Sequence, residues 1–395
     1  MNKQISKLCE IAKKKERLII GLMSGTSLDG VDVGLCKISG NGLAVKVDLL
    51  AFESFPYSVA FKNKLKEICF LKETDLELIS LLNIEIAQHF SNSVNQFLIQ
   101  QNLKSEAIDL IASHGQTIYH SPARLRNDAN PLNATLQIGD GDYIAVQTGI
   151  ITISDFRQKN IAEGKEGAPL ALYGDYLLFR NNVENRILLN IGGIANFTIL
   201  KKDAVFTNAI STDVGPGNTL MDQFILKVTG NQYYDLNASM ALEGVVDTEL
   251  LHELLNHPFF NQQLPKTTGP ELFNLKYLEN AIEKSNKNNL KVEDIMATLN
   301  RFTAEGISLA INQIFDHTTH PVVYTSGGGF QNPLLMKNLE GLVPFAIFKS
   351  TSDLMIHPDA KETVLFAILA NETVAGDYED FGDQTKSMGK ISFPN

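Results

Sequence analysis

"LIIGLMSGTSLDGVDVGLCKI", residues 18–38, is an apolar run that breaks into Ser24-Gly25-Thr26-Ser27, passes Asp29 and Asp32, and turns apolar again. Two apolar runs joined by a Gly-containing turn read as a buried β-hairpin. Its tip carries small hydroxyls and glycine, with two carboxylates directly behind. Working outward, residues 44–52 add a third strand, and residues 75–103 place apolar side chains at helical spacing. "AIDLIAS" (107–113) is a short strand ending at His114-Gly115-Gln116-Thr117. "DYIAVQTGI" (142–150) reads as a helix and "IITISDF" (150–156) as a strand. This order predicts an α/β unit with a mixed sheet.

A second series opens about 170 residues later with "NRILLNIGGIANFTILKKD" (185–203), again strand, Gly turn, strand. "DVGPGNTLMDQFILKVTG" (213–230) turns into a helix, and residues 294–315 form a long amphipathic helix. "HPVVYTSGGGFQNPLLMKNLEGL" (320–342) reads strand, Gly turn, helix. The parallel series suggests an internal duplication. The expected layout is an N-terminal extension (1–16), a first lobe (17–160), a second lobe (185–358) and a polar tail (377–395). The helix 360–376 packs back to complete one of the lobes, with the first lobe expected.

The bulk properties agree. A chain of 395 residues exceeds the usual size of one core, so two lobes are expected. With 44% hydrophobic and 20% charged residues, the composition is that of a soluble globular protein. No apolar run has the length of a membrane span, and the basic N-terminus has no signal-peptide core. Cys9, Cys36 and Cys69 make no metal-binding spacing, which points to a reducing, cytoplasmic setting. A net charge of −11 argues against general nucleic-acid binding.

Four turns, "MSGTSLDG", "NIGGIAN", "DVGPGN" and "SGGGFQN", are rich in Gly and small residues. Each alone is explained by turn geometry. Together, after apolar strands, they offer rows of backbone N–H groups suited to phosphate. Ser24, Thr26 and Ser27 add donors, and Asp29 and Asp32 are placed to hold hydrated Mg²⁺. No Lys follows Gly25 in P-loop spacing, and neither "SGGGFQNP" nor "GPGNTL" completes G-x-G-x-x-G. Hairpin-based phosphate binding is the device of the actin/Hsp70/sugar-kinase nucleotide clamp.

Nine motifs in order, "GLMSGTSLDGVDV", "SHGQTIYH", "LQIGDG", "DFR", "GAPLA", "LNIGGIANFTIL", "DVGPGNTLMD", "TTGPELFN" and "SGGGFQNPLLM", resemble those of the anhydro-N-acetylmuramic acid kinases. The resemblance covers residues 17–376. It implies two actin-like (ribonuclease H-like) lobes with an ATP cleft between them, use of ATP and Mg²⁺, a homodimer, and recycling of cell-wall amino sugars. The implied reaction phosphorylates the 6-oxygen of 1,6-anhydro-N-acetylmuramic acid while water opens the anhydro ring, giving N-acetylmuramic acid 6-phosphate.

Asp213 follows a strand and precedes a Gly turn, where a carboxylate serves either as general base or as the N-cap of the next helix. The resemblance favours the base, acting on water. Arg157, just past a strand, has the fork that grips a carboxylate, and the implied sugar carries one; the alternative is a surface pair with Asp155. His114 and Gln116 either contact sugar hydroxyls or are buried and satisfied. Ser24, Asp155 and Glu362 complete the substrate set, with a solvated helix face as the default for Glu362. For the nucleotide, Gly25, Thr26, Ser27, Leu28, Asp29, Gly30, Val31 and Asp32 wrap the phosphates, with Asp29 the metal ligand. Gly192 and Gly193 oppose them, Gly215, Gly217 and Asn218 lie alongside, and Gly327, Gly328 and Gly329 sit beneath the adenosine. Asn190, Asn196 and Asn332 close Gly turns, while His120, Met221 and Met336 are structural.

The chain departs from the family pattern in two places. After DFR it has Asn160 in place of Asp, then Gly164-Lys165-Glu166-Gly167 in place of a Gly-Gly-Gln-Gly loop, and Pro270 stands where Arg is usual. A related anhydro sugar, another acceptor of the same superfamily, a non-catalytic sensor and an Hsp70-like ATPase are the competing readings. The last has no peptide-binding segment to support it.

Overall fold

A computed structural model describes residues 1–123, 126, 130–167, 170–203, 205–287, 289–354, 360–376 and 388–395. Part of "GAPLA", the end of the expected second lobe and most of the expected tail lie outside the described residues. The chain divides into two compact units, Met1–Leu178 with Asp359–Asn395, and Phe179–Pro358.

The strands are β1 (Glu16–Ser24), β2 (Gly30–Ser39), β3 (Lys46–Pro56), β4 (Leu110–Ser121), β5 (Ala134–Ile138), β6 (Thr152–Ser154), β7 (Arg186–Ile191), β8 (Ile194–Leu200), β9 (Ile210–Pro216), β10 (Val322–Ser326), β11 (Ile347–Ser350) and β12 (Lys390–Ser392). The first unit orders its sheet β12-β6-β4-β1-β2-β3, with β5 on β4. The second orders its sheet β11-β10-β7-β8-β9. In both, the first three strands form an antiparallel meander. The next two add in parallel on the other side of the first strand. Each unit is thus a mixed α/β sheet with the 3-2-1-4-5 order of the actin-like fold.

The first core packs Ile20, Leu22, Val31 and Val33 against Leu82, Ile86, Phe90 and Val94 of the helix Leu76–Gln100. Asp75 starts that helix by accepting from the N–H groups of Glu77 and Leu78. On the other face, the helix Lys361–Ala375 lies so close to β1 that a Cβ on Gly21 would stand 1.9 Å from the Thr363 carbonyl. Gly21 is therefore a contact glycine in mid-strand. The second unit has a sheet core, with Ile187, Leu189 and Phe197 against Ile307 and Ile311. A separate aromatic cluster gathers Phe224, Phe259, Phe260, Phe273 and Phe302.

Three elements differ from the sequence reading. Strand β4 continues through His114-Gly115-Gln116 to Ser121, because Gly115 adopts φ +79 and lets the chain bend without leaving the sheet. Strand β5, with which it pairs, is only five residues long and buries Thr135 while exposing Ala134 and Leu136, the reverse of its apolar alternation. Residues 390–392, expected in a tail, form β12 along the edge of β6, a run too short for periodicity to reveal.

Candidate active site

In the first unit, the β1–β2 turn spans Gly25–Asp29 and is held from behind. The Ser24 hydroxyl is buried, with the Gly30 carbonyl at 2.9 Å and Gln116 Oε1 at 2.7 Å as acceptors for its one proton. Tyr57 lies 3.0 Å away, its phenol pKa pushed up by burial. Gln116 Nε2 donates to the carbonyls of Gly25 (3.1 Å) and Thr117 (3.2 Å). The Ser24 and Gln116 side chains, expected on the sugar, are thus engaged in fixing the hairpin tip. Leu28 takes φ +58, Gly30 lies against the Phe55 carbonyl and Val31 is core. Gly25, Thr26 and Ser27 form the tip, where a Cβ on Gly25 would meet nothing closer than 3.6 Å. Asp29 is exposed and paired with Lys62 at 3.3 Å, and Asp32 accepts from the Ser54 hydroxyl. No group of three or more His, Cys, Asp or Glu is gathered for a metal among the described residues.

Arg157 donates from Nε to His114 Nε2 at 2.9 Å and from Nη1 to the Gly167 carbonyl at 2.7 Å. His114 donates from Nδ1 to the Gly115 carbonyl at 2.9 Å, which fixes its neutral tautomer. Burial, and then the guanidinium, lower the imidazole pKa to about 3. Both ring nitrogens are spent, so His114 supports Arg157 and offers no polar atom to a sugar. Its ring rests on Phe366, 4.8 Å away between centres. The expected alternative for Arg157, a pair with Asp155, is not formed, since Asp155, at φ +59, pairs with Lys390 of β12. No ion pair joins Arg157 to a carboxylate among the described residues; Glu362 acts on it electrostatically. Glu362 touches solvent yet has protein packed around it. That crowding, reinforced by Asp32 and opposed by Lys361 and Arg157, raises its pKa.

Beside these residues lies a polar cavity of about 400 Å³, lined in part by Ser113, His114, Asp140, Asp155 and Lys390. At the Asn160 departure the side chain keeps an acceptor role that an aspartate could also fill. Its buried amide oxygen accepts from the Gly167 N–H at 2.8 Å, bracing the loop whose carbonyl holds Arg157. Pro270 is exposed, and nothing in the structure accounts for it.

In the second unit, the Gly turns converge. The N–H groups of Gly217 and Thr219 donate to the Gly193 carbonyl, and Asn218 N–H donates to that of Gly192. A Cβ on Gly217 would stand 2.1 Å from the Gly192 carbonyl, and one on Gly329 2.3 Å from Ile191. Those two glycines serve packing. At Gly192 and Gly328, by contrast, an added Cβ would meet nothing nearer than 3.5 Å, so the Cα face of each is open. Gly193 faces the Thr219 hydroxyl, Gly327 takes φ +83, and Gly215 ends β9 opposite Ala195. Asn332 caps the helix Pro333–Leu342, accepting from Leu335 N–H at 2.9 Å.

Next to Gly328 and Asn218 is a cavity of about 550 Å³ that also takes in Met221, Asp222, Tyr234, Asn237 and Gln331. Burial raises the Asp222 pKa to about 6. Met221 is core and cavity wall at once. Tyr234 and Asn237 went unread in sequence. The signal was "YYDLN", a local fold in which Asp235 accepts from Met240 and Ala241 N–H while Asn237 takes φ +55.

Asp213 lies within β9, opposite Asn196, and does not cap the following helix, whose N-cap is Asn218. Its Oδ2 accepts from Thr268 N–H at 2.9 Å, and its own N–H donates to the Lys266 carbonyl at 3.0 Å. A carboxylate oriented by a backbone donor is equipped to take a proton.

Comparison with known proteins gives one family across the chain: the model described as anhydro-N-acetylmuramic acid kinase matches residues 17–387. An anhydro-N-acetylmuramic acid kinase of Pseudoalteromonas atlantica is 50% identical over 401 residues, covering 100% of both chains. One from Caldanaerobacter subterraneus is 38% identical over 395 residues, covering 98% of this chain and 100% of its own. Among solved structures, the activator of the 2-hydroxyisocaproyl-CoA dehydratase from Clostridium difficile, with bound ADPNP, aligns at 14% identity and a TM-score of 0.41. That alignment covers 90% of this chain and 95% of the activator.

Proposed function

The chain belongs to the anhydro-N-acetylmuramic acid kinase family, and from that premise we propose that it phosphorylates 1,6-anhydro-N-acetylmuramic acid with ATP while water opens the anhydro ring. Asp213 takes one proton from water, and the water oxygen bonds to the anomeric carbon. The bond from that carbon to O6 breaks, and O6 takes the γ-phosphoryl as ADP leaves. The products are N-acetylmuramic acid 6-phosphate, ADP and the proton. The role fits recycling of cell-wall amino sugars by a cytoplasmic homodimer. Among the described residues, no helix is long and apolar enough to cross a membrane.

The observation that carries the acceptor class is Arg157: a guanidinium held by neutral acceptors, with no described carboxylate in ion-pair contact. Such a group suits the lactyl carboxylate of the sugar. The open backbone at Gly192, Gly328 and the 25–27 tip suits the nucleotide, with the Gly328 cavity for adenosine. Asp29 and Asp32 form a sparse acidic pair, which fits Mg²⁺, a cation that keeps most of its water and shares phosphate oxygens. When bound, Mg²⁺ would neutralise charge on the phosphates; these two residues would hold it. A related anhydro sugar is the second reading, favoured by Pro270 where the family has Arg.

Mass analysis of the product made in ¹⁸O-water tests the proposal. We expect one label at the anomeric position and phosphate on the same molecule. Unlabelled sugar phosphate, or labelled sugar without phosphate, would separate the two half-reactions and end it.

A further inference from the structure

The loop containing Thr268 is tied to β9 by four hydrogen bonds, one from the Thr212 hydroxyl to the Lys266 carbonyl (3.1 Å) and three from backbone N–H groups. Asp213 N–H donates to the Lys266 carbonyl (3.0 Å), Lys266 N–H donates to Thr212 Oγ1 (2.9 Å), and Thr268 N–H donates to Asp213 Oδ2 (2.9 Å). Lys266 anchors the loop from beneath. Its buried ammonium donates to the Phe259 carbonyl at 3.0 Å and lies 4.3 Å from the centre of that ring. Among the described residues, the Thr268 hydroxyl is buried and has no hydrogen-bond partner. Buried hydroxyls are nearly always satisfied, and an unmade bond costs stability. A valine of the same shape would escape that cost.

We propose that Thr268 positions the water on which Asp213 acts: its N–H orients the acid, and its hydroxyl accepts the second proton of that water. The water then gives its first proton to Asp213 and points its lone pair at the anomeric carbon. Because the hydroxyl is enclosed, it gains this partner only when the loop makes room for bound sugar and water. The inference rests on the reading of Asp213 as base.

Thr268→Val removes the hydroxyl and keeps the N–H on Asp213. We expect kcat to fall roughly 100-fold, the size of misplacing a reacting group by about 1 Å. KM for ATP and sugar should hold within about twofold, since the group acts on water and adds no ground-state binding. Thr268→Ser should restore kcat, and the valine chain should melt no lower than the parent. Wild-type kcat in Thr268→Val overturns the proposal. So does a fall in melting temperature that Thr268→Ser fails to reverse, which would mark a packing role. If the valine chain fails to fold, Thr268→Ala replaces it under the same criteria. Asp213→Asn, run alongside, keeps the two readings apart. An active Asp213→Asn defeats the base itself; an inactive one beside a normal Thr268→Val defeats only Thr268.

Discussion

The third strand of each sheet makes a useful pair. In the first unit, β3 brings Ser54 against Asp32 of β2. In the second, β9 brings Asp213 against Asn196 of β8. Strand order is the same in both, so the backbone presents equivalent ends, and chemistry follows from which side chains occupy them. The first unit fills its strand ends with charge: Asp29, Asp32, Asp155, Arg157 and Lys390. The second leaves its turns as bare glycine and carries Asp213 on the third strand. One scaffold can thus present charged side chains in one copy and bare backbone in the other, because a sheet fixes positions without dictating side chains.

The largest expected effect tests Asp213. Asp213→Asn should lower kcat about a thousandfold, within the range for loss of a general base, while ATP still binds by calorimetry. Activity within tenfold of the parent would erase the contrast between the two third strands.

Next comes the charged side. Arg157→Ala should raise the sugar KM roughly 10–100-fold, the worth of a charge-assisted hydrogen bond, and leave the ATP KM within twofold. Equal loss of both would mean that Arg157 serves the whole unit rather than an acceptor.

His114 sharpens this. Its folded pKa is about 3, against an unfolded value of 6.5, so the unfolded chain takes the proton first as pH falls. Stability from this group is complete above pH 6.5 and is lost progressively toward pH 3, by at most about 5 kcal/mol. In His114→Gln, melting temperature should fall less steeply between pH 7 and pH 4.5. An unchanged slope would remove His114 as the titrating group.

The smallest effect separates two neighbouring glycines. Gly328→Ala should leave the melting temperature unchanged and weaken ATP binding severalfold. Gly329→Ala should instead cost about 1–3 kcal/mol of stability, because its Cβ meets Ile191. Identical behaviour would mean that the turn is one packed unit with no open face.

Much of this was legible in residues alone. Apolar runs broken by Gly announced both hairpins, and the long helices followed from their spacing. The motif order announced the family. The side chains of Ser24, Gln116 and His114 were harder. Each is polar, each follows a strand, and nothing in the linear order says whether its hydrogen bonds point to ligand or to backbone. Asp155 and Arg157 sit two apart and look like partners, yet Lys390, over two hundred residues on, takes the acid.

The sequence by itself determined the two-part α/β plan and the Gly turns, because periodicity, turn chemistry and motif spacing are local properties. Only tertiary structure decided which polar atoms are already satisfied, which glycines are packed, and that Arg157 stands on a neutral histidine. Those depend on contacts between residues far apart in the chain, where burial and hydrogen-bond geometry, rather than residue type, set the chemistry.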